Sequence, residues 1–407
     1  MRQPEFRSQQ RETLRMRHRT LKARTLLSAL VLTTSALSIA QTTVSIPGLS
    51  LTTLDRVQGL SWWPTKGMPP ANAYAGETAC AKCHGDIVAT QHSTPMYHAG
   101  ARAESTPLLA EHPDMIFHEG PYTYVIRHNT SSVSNGAATA TQPIAWAFGN
   151  GEYGQTYILK SNDHYTESRL SYYASLHALD ITTGHSTEFP STLEKAIGDA
   201  LKPDTAQHCF SCHTTEAVVS GSFQPEKAIP GITCEACHGP GAKHIAAMTA
   251  GQDNIAAATI TNPSSMSPTD SVDFCGACHR TWSDVTMLMP ANMGIVVVRF
   301  QPYRLEMSRC WGSTGDPRIT CIACHNPHKP LVHSTAAYDI KCLACHRAQN
   351  SLHTNEPSQP HVTAPACKVG KHDCASCHMP RYEIPQTHAS FTDHDIRIVR
   401  ARDTLPQ

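Results

Sequence analysis

The chain has 407 residues, and its 33 basic and 33 acidic side chains balance, but residues 1–25 carry eight of the basic ones and two of the acidic ones. The rest of the chain is therefore acidic, which argues against a nucleic-acid-binding protein, and no apolar run reaches ~18 residues, which excludes a multi-span membrane protein. Apolar residues make up only 40%, whereas the 16 cysteines and 25 histidines are far above ordinary usage, so we expect something other than hydrocarbon side chains to fill much of the interior.

The N-terminus is typical of an export signal. After the basic residues, positions 26–40 read LLSALVLTTSALSIA, an apolar stretch that is short for a spanning helix. Ser38, Ile39 and Ala40 form a small-x-small pattern, so we predict a signal peptide over 1–40 with cleavage after Ala40. An uncleaved N-terminal anchor is the alternative. Export predicts a periplasmic or extracellular protein, whose cysteines end as disulfides or as cofactor attachments.

Fourteen of the sixteen cysteines fall into seven C-x-x-C-H motifs, the attachment signal of c-type haem. Two thiols three positions apart bond to the porphyrin, and the adjacent imidazole binds its iron as the proximal ligand. A zinc site or a redox dithiol would not require His after every pair, so we predict seven covalent haems c. The motif residues are Cys80, Cys83 and His84; Cys209, Cys212 and His213; Cys234, Cys237 and His238; Cys275, Cys278 and His279; Cys321, Cys324 and His325; Cys342, Cys345 and His346; and Cys374, Cys377 and His378.

Cys310 and Cys367 stand outside these motifs. In an exported chain two spare thiols tend to pair, so we predict a disulfide between them. The alternative is that both are unbridged, because they are buried or too far apart.

Spacing of the motifs predicts the organisation of the chain. The gap between the first and second motifs contains strand-like segments, Tyr122–Arg127 and Tyr157–Lys160, and a glycine-rich turn at 149–154. Residues 192–202 have a helical pattern that ends at Pro203. We therefore predict a mainly α and irregular fold with the haems as its core and a small β-rich insertion at about 115–180. The predicted segments are a signal peptide (1–40), a leader (41–75), a haem 1 segment (76–114), the β-rich insertion and helix (115–205), a six-haem domain (206–397) and a tail (398–407).

Seventeen further histidines follow residue 40, enough to give every iron a second axial ligand. His328, three residues after His325, cannot reach round to the far face of its own haem, so as a ligand it must bind a neighbouring iron. For haem 1 the sequence leaves His92, Met96 and His98 open. The other candidate distal ligands are His244, His388 and His394, with weaker candidates His118, His353, His361 and His372.

The order of the motifs resembles a known family. The first motif is followed by STPM. The chain then contains, in this order, FGNGEYGQTY, SYY, CEACHGPGAKH, ITNP, FCGACH, SRCWG, CIACHNPH, CLACH, CASCHMP and HASFTDHDIR. Over about 76–397 the chain resembles multihaem c-type cytochromes of the cytochrome c-554 type, many of which are exported bacterial proteins. The resemblance implies haem c cofactors. Relatives often have His where Met96 stands.

Closely packed haems favour an electron carrier with mostly bis-His irons and no catalytic residues. Such a carrier docks redox partner proteins, and peripheral association with a membrane is compatible with the sequence. The sequence does not predict the oligomeric state. The alternative is an oxidoreductase of nitrite or hydroxylamine with one open iron, most plausibly haem 1. A polymerising cytochrome with shared ligands is a third class. The C-x-x-C-K signal of a lysine-ligated reductase haem does not occur.

Overall fold

A computed structural model describes residues 70–290, 293–308, 310–311, 319–346, 367–400 and 403. The predicted signal peptide, most of the predicted leader, His353 and His361 lie outside the described residues. Within the described residues, no helix is both long and apolar enough to cross a membrane.

The largest element is a nine-stranded antiparallel sheet built from residues 100–200. Its main path runs β2-β3-β4-β5-β6-β7-β8, with β1 paired to β5 and β9 paired to β7. Each neighbour along the path is also the next strand in sequence, so short turns connect the sheet. The strands are β1 (Gly100–Arg102), β2 (Asp114–Glu119), β3 (Tyr122–Arg127), β4 (Thr130–Ser134), β5 (Thr139–Phe148), β6 (Gln155–Ser161), β7 (His164–Tyr173), β8 (Ala178–Ile181) and β9 (Gly198–Ala200).

Strand β5 joins the two halves of this sheet. Its first half pairs with β4 and its second half with β6, with a register shift between Ile144 and Trp146. A bulge of this kind bends a strand and increases its twist. The bend lets one face of the sheet enclose a side-chain core that includes Val133, Tyr157 and Leu159, which are all fully buried.

The prediction of a mainly α fold with a small β insertion is therefore wrong. The predicted strands Tyr122–Arg127 and Tyr157–Lys160 are confirmed within β3 and β6, but the sheet begins at Gly100 and extends to Ala200. The sequence pattern missed strands such as β4 (TSSVS) because they are rich in Ser and Thr and only one face is buried. Their stability comes from partner strands rather than from local hydrophobicity.

The helix predicted over 192–202 is only half correct. A short helix covers Leu193–Ile197, and the chain then turns into strand β9. Gly198 makes the turn with φ 150°, and a Cβ there would lie 2.0 Å from the carbonyl oxygen of Glu167. Glycine therefore permits the close pairing of β9 with β7, which overrides the helical pattern.

Short helices and turns form the rest of the described chain. Besides β1–β9 there are three two-stranded sheets, β10 (Thr214–Thr215) with β13 (Ile229–Pro230), β11 (Val218–Val219) with β12 (Ser222–Phe223), and β14 (Arg381–Ile384) with β15 (Ala389–Thr392). The α-helices are α1 (Glu77–Gln91), α2 (Pro107–Glu111), α3 (Leu193–Ile197), α4 (Pro203–His213), α5 (Cys234–His238), α6 (Ala242–Thr249), α7 (Asp253–Ala258), α8 (Pro268–His279), α9 (Gln301–Glu306), α10 (Cys321–Cys324), α11 (Asp339–His346) and α12 (Cys374–His378). A π-helical turn covers Asp284–Leu288, and 3-10 turns cover Ala71–Ala73, Ala103–Ser105, Pro225–Lys227, Pro263–Ser265, Gly294–Arg299 and Thr335–Tyr338.

The sheet packs directly against the helix that carries the second motif. Trp146 of β5 meets Phe210 of α4 edge to face at 5.3 Å, and Phe148 meets the same ring at 5.0 Å. Phe148 also stacks on His213, with ring centroids 4.6 Å apart and an interplanar angle of 7°. The sheet thereby fixes the position of the second motif.

Candidate haem centres

All seven motifs lie on helical segments that end or kink at the motif histidine. A helical turn places two cysteines three positions apart on the same side of the helix. Helix α1 continues past its motif, but His84 departs from helical geometry with φ −115° and ψ 33°. Helix α10 ends at Cys324, so His325 is the next residue. The other five helices end at the histidine itself, namely His213, His238, His279, His346 and His378.

Backbone carbonyl groups orient several of these imidazoles. The Nδ1 of His213 donates to the carbonyl of Ala99 at 2.7 Å, that of His238 to Thr261 at 2.8 Å, and that of His378 to Arg397 at 2.8 Å. An Nδ1 bond of this kind leaves Nε2 as the metal-binding nitrogen, which is the usual arrangement of a ligating histidine. The distal candidates His244 and His394 have the same arrangement, with Ala256 at 3.0 Å and Thr392 at 3.0 Å as acceptors.

His238 faces His328 across a gap of the size that an axially ligated iron needs. Their ring centroids are 5.9 Å apart and the rings are tilted by 12°. Bonds from imidazole nitrogen to a metal are about 2 Å long, so these two rings could hold one haem iron between them. His328 therefore lies opposite the proximal histidine of the third motif and not of its own.

His325 faces His394 in the same way. Their ring centroids are 6.2 Å apart, with an interplanar angle of 42°. His394 follows strand β15, which pairs with β14 and so returns the chain from the seventh motif to the fifth. The His325–His394 pair therefore joins the fifth motif to the segment that follows strand β15.

Burial lowers the pKa of three of these four imidazoles, those of His325, His328 and His394. It lowers the pKa of His394 to about 4, and the adjacent His325 acts in the same direction. An iron ligand must be unprotonated, so a depressed pKa favours the ligating form at neutral pH. Burial also lowers the pKa of the imidazoles of His213, His279, His325 and His328.

Thiols of different motifs contact each other. The thiols lie close enough to shift each other's pKa in three pairs, Cys80 with Cys234, Cys275 with Cys321, and Cys342 with Cys374. The first motif therefore lies beside the third, the fourth beside the fifth, and the sixth beside the seventh. The second motif adjoins the fourth, because the Sγ of Cys212 is 3.5 Å from the carbonyl oxygen of Ala277.

Glu235, inside the third motif, ties that motif to the first. The residue is 2% exposed. Its carboxylate accepts hydrogen bonds from three backbone N–H groups, those of Ala75 at 2.8 Å, Gly76 at 2.9 Å and Gly241 at 2.7 Å. Gly76 is the N-cap of α1, which carries Cys80. Sequence reasoning missed this residue, although an acidic side chain between the two cysteines of one motif is a signal.

The segment after the first motif holds the second motif, and the residues just before the third, through its backbone carbonyls. The carbonyl of Met96 accepts the N–H of Ile232 at 2.9 Å, and Ala99 accepts Nδ1 of His213. Of the haem 1 candidates, His92 has its Nε2 2.5 Å from Oε1 of Glu77. His98 is exposed and lines a cleft of about 230 Å³ with Glu152, Tyr153 and His333, among others. The structure brings no histidine ring among these candidates against His84.

Three other candidates lie away from the motif histidines. The Nε2 of His388 lies 2.9 Å from Oδ2 of Asp180, and its ring meets Tyr173 edge to face. His118 is exposed on strand β2, where its Nδ1 is 3.1 Å from the hydroxyl of Thr123. His372 is exposed. The structure does not bring these three rings against a motif histidine.

Cys310 and Cys367 are not joined in the structure, so the predicted disulfide is not formed there. Cys367 is exposed, and backbone N–H groups of Gly370 and Val369 lower the pKa of its thiol. Cys310 lies close enough to Cys342 for its charge to act on that thiol, which places it among the haem motifs.

The donor set fits haem c. Paired thiols on one helical turn, a histidine at the turn's end and a facing imidazole with neutral Nε2 are the groups that bind this cofactor. Such sites are typical of a multihaem c-type cytochrome, and the proteins to which the chain is similar support this class.

A family described as "Cytochrome c554 and c-prime" matches residues 164–239, which contain the second and third motifs. The chain is 25% identical over 218 residues to the multiheme cytochrome MtrA of Shewanella baltica (strain OS185), covering 51% of this chain and 53% of MtrA. It thus spans about half the length of that relative. The structure titled "Crystal Structure of Outer Cell Wall Cytochrome OcwA" is 22% identical and covers 51% of this chain and 37% of the other. Its TM-score of 0.33 is too low to indicate a shared overall fold.

Proposed function

We propose that the protein is an exported cytochrome that carries electrons through seven covalent haems c, most of them with two histidine ligands. The observation that carries this proposal is the two pairs of facing imidazoles, His238 with His328 and His325 with His394. Haem supplies one-electron chemistry at its iron when bound. An iron closed by two imidazoles has no position for a substrate, which favours electron transfer over catalysis.

The contacts between motifs support a route for the electrons. Each motif cysteine bonds to its porphyrin, so contacting thiols belong to adjacent haems. The thiol contacts order the motifs as first, third, fourth and fifth through Cys80–Cys234 and Cys275–Cys321, because Cys237 also lies close to Cys275. The route continues to the sixth and seventh motifs, and the second motif branches from the fourth.

The protein's own contribution is to hold these ligands and to keep their imidazoles neutral. Carbonyl acceptors fix the rings of His213, His238 and His378, and burial lowers the pKa of the imidazoles of His213 and His394. The partners of an exported carrier are redox proteins or a membrane-associated electron acceptor, docked from outside the haem route. Covalent haem attachment and export both follow from the predicted signal peptide and motifs.

Replacement of His328 by Ala tests the axial assignment. We expect one newly high-spin haem, that of Cys234–His238, because His328 faces His238. The haem of Cys321–His325 should stay low-spin, since His394 faces its proximal histidine. His118→Ala is the control, because His118 is exposed and bonded to Thr123. Electron paramagnetic resonance and carbon monoxide binding read the result, and an all low-spin His328→Ala protein would contradict the assignment.

The alternative is an oxidoreductase of nitrite or hydroxylamine at an open haem 1. One observation favours it: the cleft beside His98 is lined by the polar side chains of Tyr153, Glu152 and His333. Carbon monoxide titration of the reduced wild-type protein separates the two functions. A carrier with closed irons binds none, whereas an enzyme binds one carbon monoxide per chain and turns over nitrite or hydroxylamine.

A further inference from the structure

We propose that Arg304 is a positioning residue that orients histidines of two haem centres, His394 and His378, by binding the segment 393–397. The inference rests on the proposed ligation by His394. Arg304 belongs to α9, whereas the two histidines lie near the end of the chain. None of the haem motifs contains Arg304.

Arg304 and Asp393 form a buried, two-pronged ion pair. The side chain of Arg304 is 3% exposed and that of Asp393 is 0% exposed. Nε of Arg304 is 2.8 Å from Oδ1, and Nη2 is 3.0 Å from Oδ2. Nη2 also lies 3.2 Å from Oδ2 of Asp395. Paired bonds of this kind fix direction as well as distance.

The two bound aspartates flank His394. Ser308, four residues after Arg304, binds the same segment. Its hydroxyl donates a hydrogen bond to the carbonyl of His394 at 2.7 Å and accepts one from the N–H of Ile396 at 2.7 Å. Residues 393–400 have no helical or strand hydrogen-bond ladder. The ion pairs and Ser308 therefore supply the rigidity that a helix would otherwise give to a ligand.

The same cluster reaches the seventh motif. Nη1 of Arg397 donates to Oδ2 of Asp393 at 2.7 Å, and the carbonyl of Arg397 accepts Nδ1 of His378 at 2.8 Å. The charges of Arg304, Arg397, Asp393 and Asp395 balance, so the group can stay buried. Removing Arg304 leaves Asp393 and Asp395 with one cation between them, and the segment must shift to hydrate a carboxylate.

The test is Arg304→Met, with Arg102→Met as matched control. Arg102 also pairs with a glutamate, Glu226, and lies over the ring of Trp146, but its hydrogen bonds reach only Pro225 and Glu226. We expect the reduced Arg304→Met protein to bind one more carbon monoxide per chain than wild type. Added imidazole should suppress that binding, and potentiometric titration should show two shifted couples. Arg102→Met should match wild type in all three measurements.

His394→Ala calibrates the result. If His394→Ala gains no carbon monoxide site, the proposed ligation fails and the inference fails with it. If His394→Ala gains the site but a fully haem-loaded Arg304→Met does not, the positioning role alone is overturned, even if thermal stability falls. Should Arg304→Met not accumulate, Ser308→Ala decides in the same way, because it removes the bonds to the carbonyl of His394 and the N–H of Ile396 without changing a charge.

Discussion

At the scale of single residues, the haem centres depend on groups outside the C-x-x-C-H motifs. Carbonyls of Ala99, Thr261 and Arg397 select the metal-binding nitrogen of three motif histidines. Glu235 and Arg304 hold segments that carry ligands. These residues act through hydrogen bonds that close over long stretches of chain, so local spacing does not reveal them.

Glu235→Gln should raise the reduction potential of one or two of the haems. The buried carboxylate favours the more positive, oxidised iron, and the amide lacks the charge. It also presents an N–H to backbone donors, so the free energy of unfolding should fall by about 1–3 kcal/mol. Potentiometric titration measures the couples. Glu226→Gln is the control, because that side chain is 60% exposed, and equal shifts in both variants would refute the role of the buried charge.

Gly231→Ala should disturb the second haem centre, whereas Gly251→Ala should not. Both glycines have left-handed φ, 71° and 68°, so the conformational cost of about 1–2 kcal/mol is shared. A Cβ at Gly231 would lie 1.8 Å from the carbonyl oxygen of Tyr97, while one at Gly251 meets nothing within 4 Å. The 96–99 segment must then move, and Ala99 with it. Unfolding and spin-state measurements that fail to separate the two variants would contradict this.

At the scale of elements, the sheet has an internal support of its own. Arg169 of β7 and Glu119 of β2 form an ion pair in which both side chains are 5% exposed. Tyr124 donates to Oε2 of the same carboxylate at 2.9 Å, and Nη2 of Arg169 reaches the carbonyls of Ser186 and Glu188 at 3.0 and 3.1 Å. The pair joins β2, the first strand of the path, to β7, the strand next to its last, and β2 also contacts the last strand, β8.

Arg169→Met should reduce the stability of the sheet by about 3–5 kcal/mol, because it leaves Glu119 buried without its cation. Hydrogen exchange of the β6 and β7 amides measures the opening free energy directly. Arg127→Met is the matched control, since Arg127 pairs with Asp114 at a half-exposed site. Similar protection in both variants would show that the buried pair adds nothing. The haem spectra should not change in either.

At the scale of the whole molecule, two kinds of interior lie side by side. The sheet encloses side-chain clusters that include Trp146 and Tyr157, both fully buried. By contrast, helices α10 and α11, which carry the fifth and sixth motifs, contain no buried residue in the described chain. We therefore expect the sheet to fold on side chains and the motif helices to require the porphyrins.

Expression without haem attachment tests this difference. Limited proteolysis of the haem-free chain should leave a protected fragment that contains residues 100–200, while the segment after residue 267 is degraded. The haem-loaded protein is the control and should resist cleavage in both regions. Equal degradation of the sheet would show that it too depends on the haems.

The sequence by itself determined the cofactor chemistry, because haem attachment is encoded in five contiguous residues such as Cys234–His238. It also excluded His328 as a ligand of its own haem, since a three-residue chain is too short. Tertiary structure alone decided which imidazole faces which, because the His325–His394 pair joins residues 69 positions apart. It alone decided the extent of the sheet as well. Strands such as β4 and β9 are stabilised by partners that a local pattern does not contain.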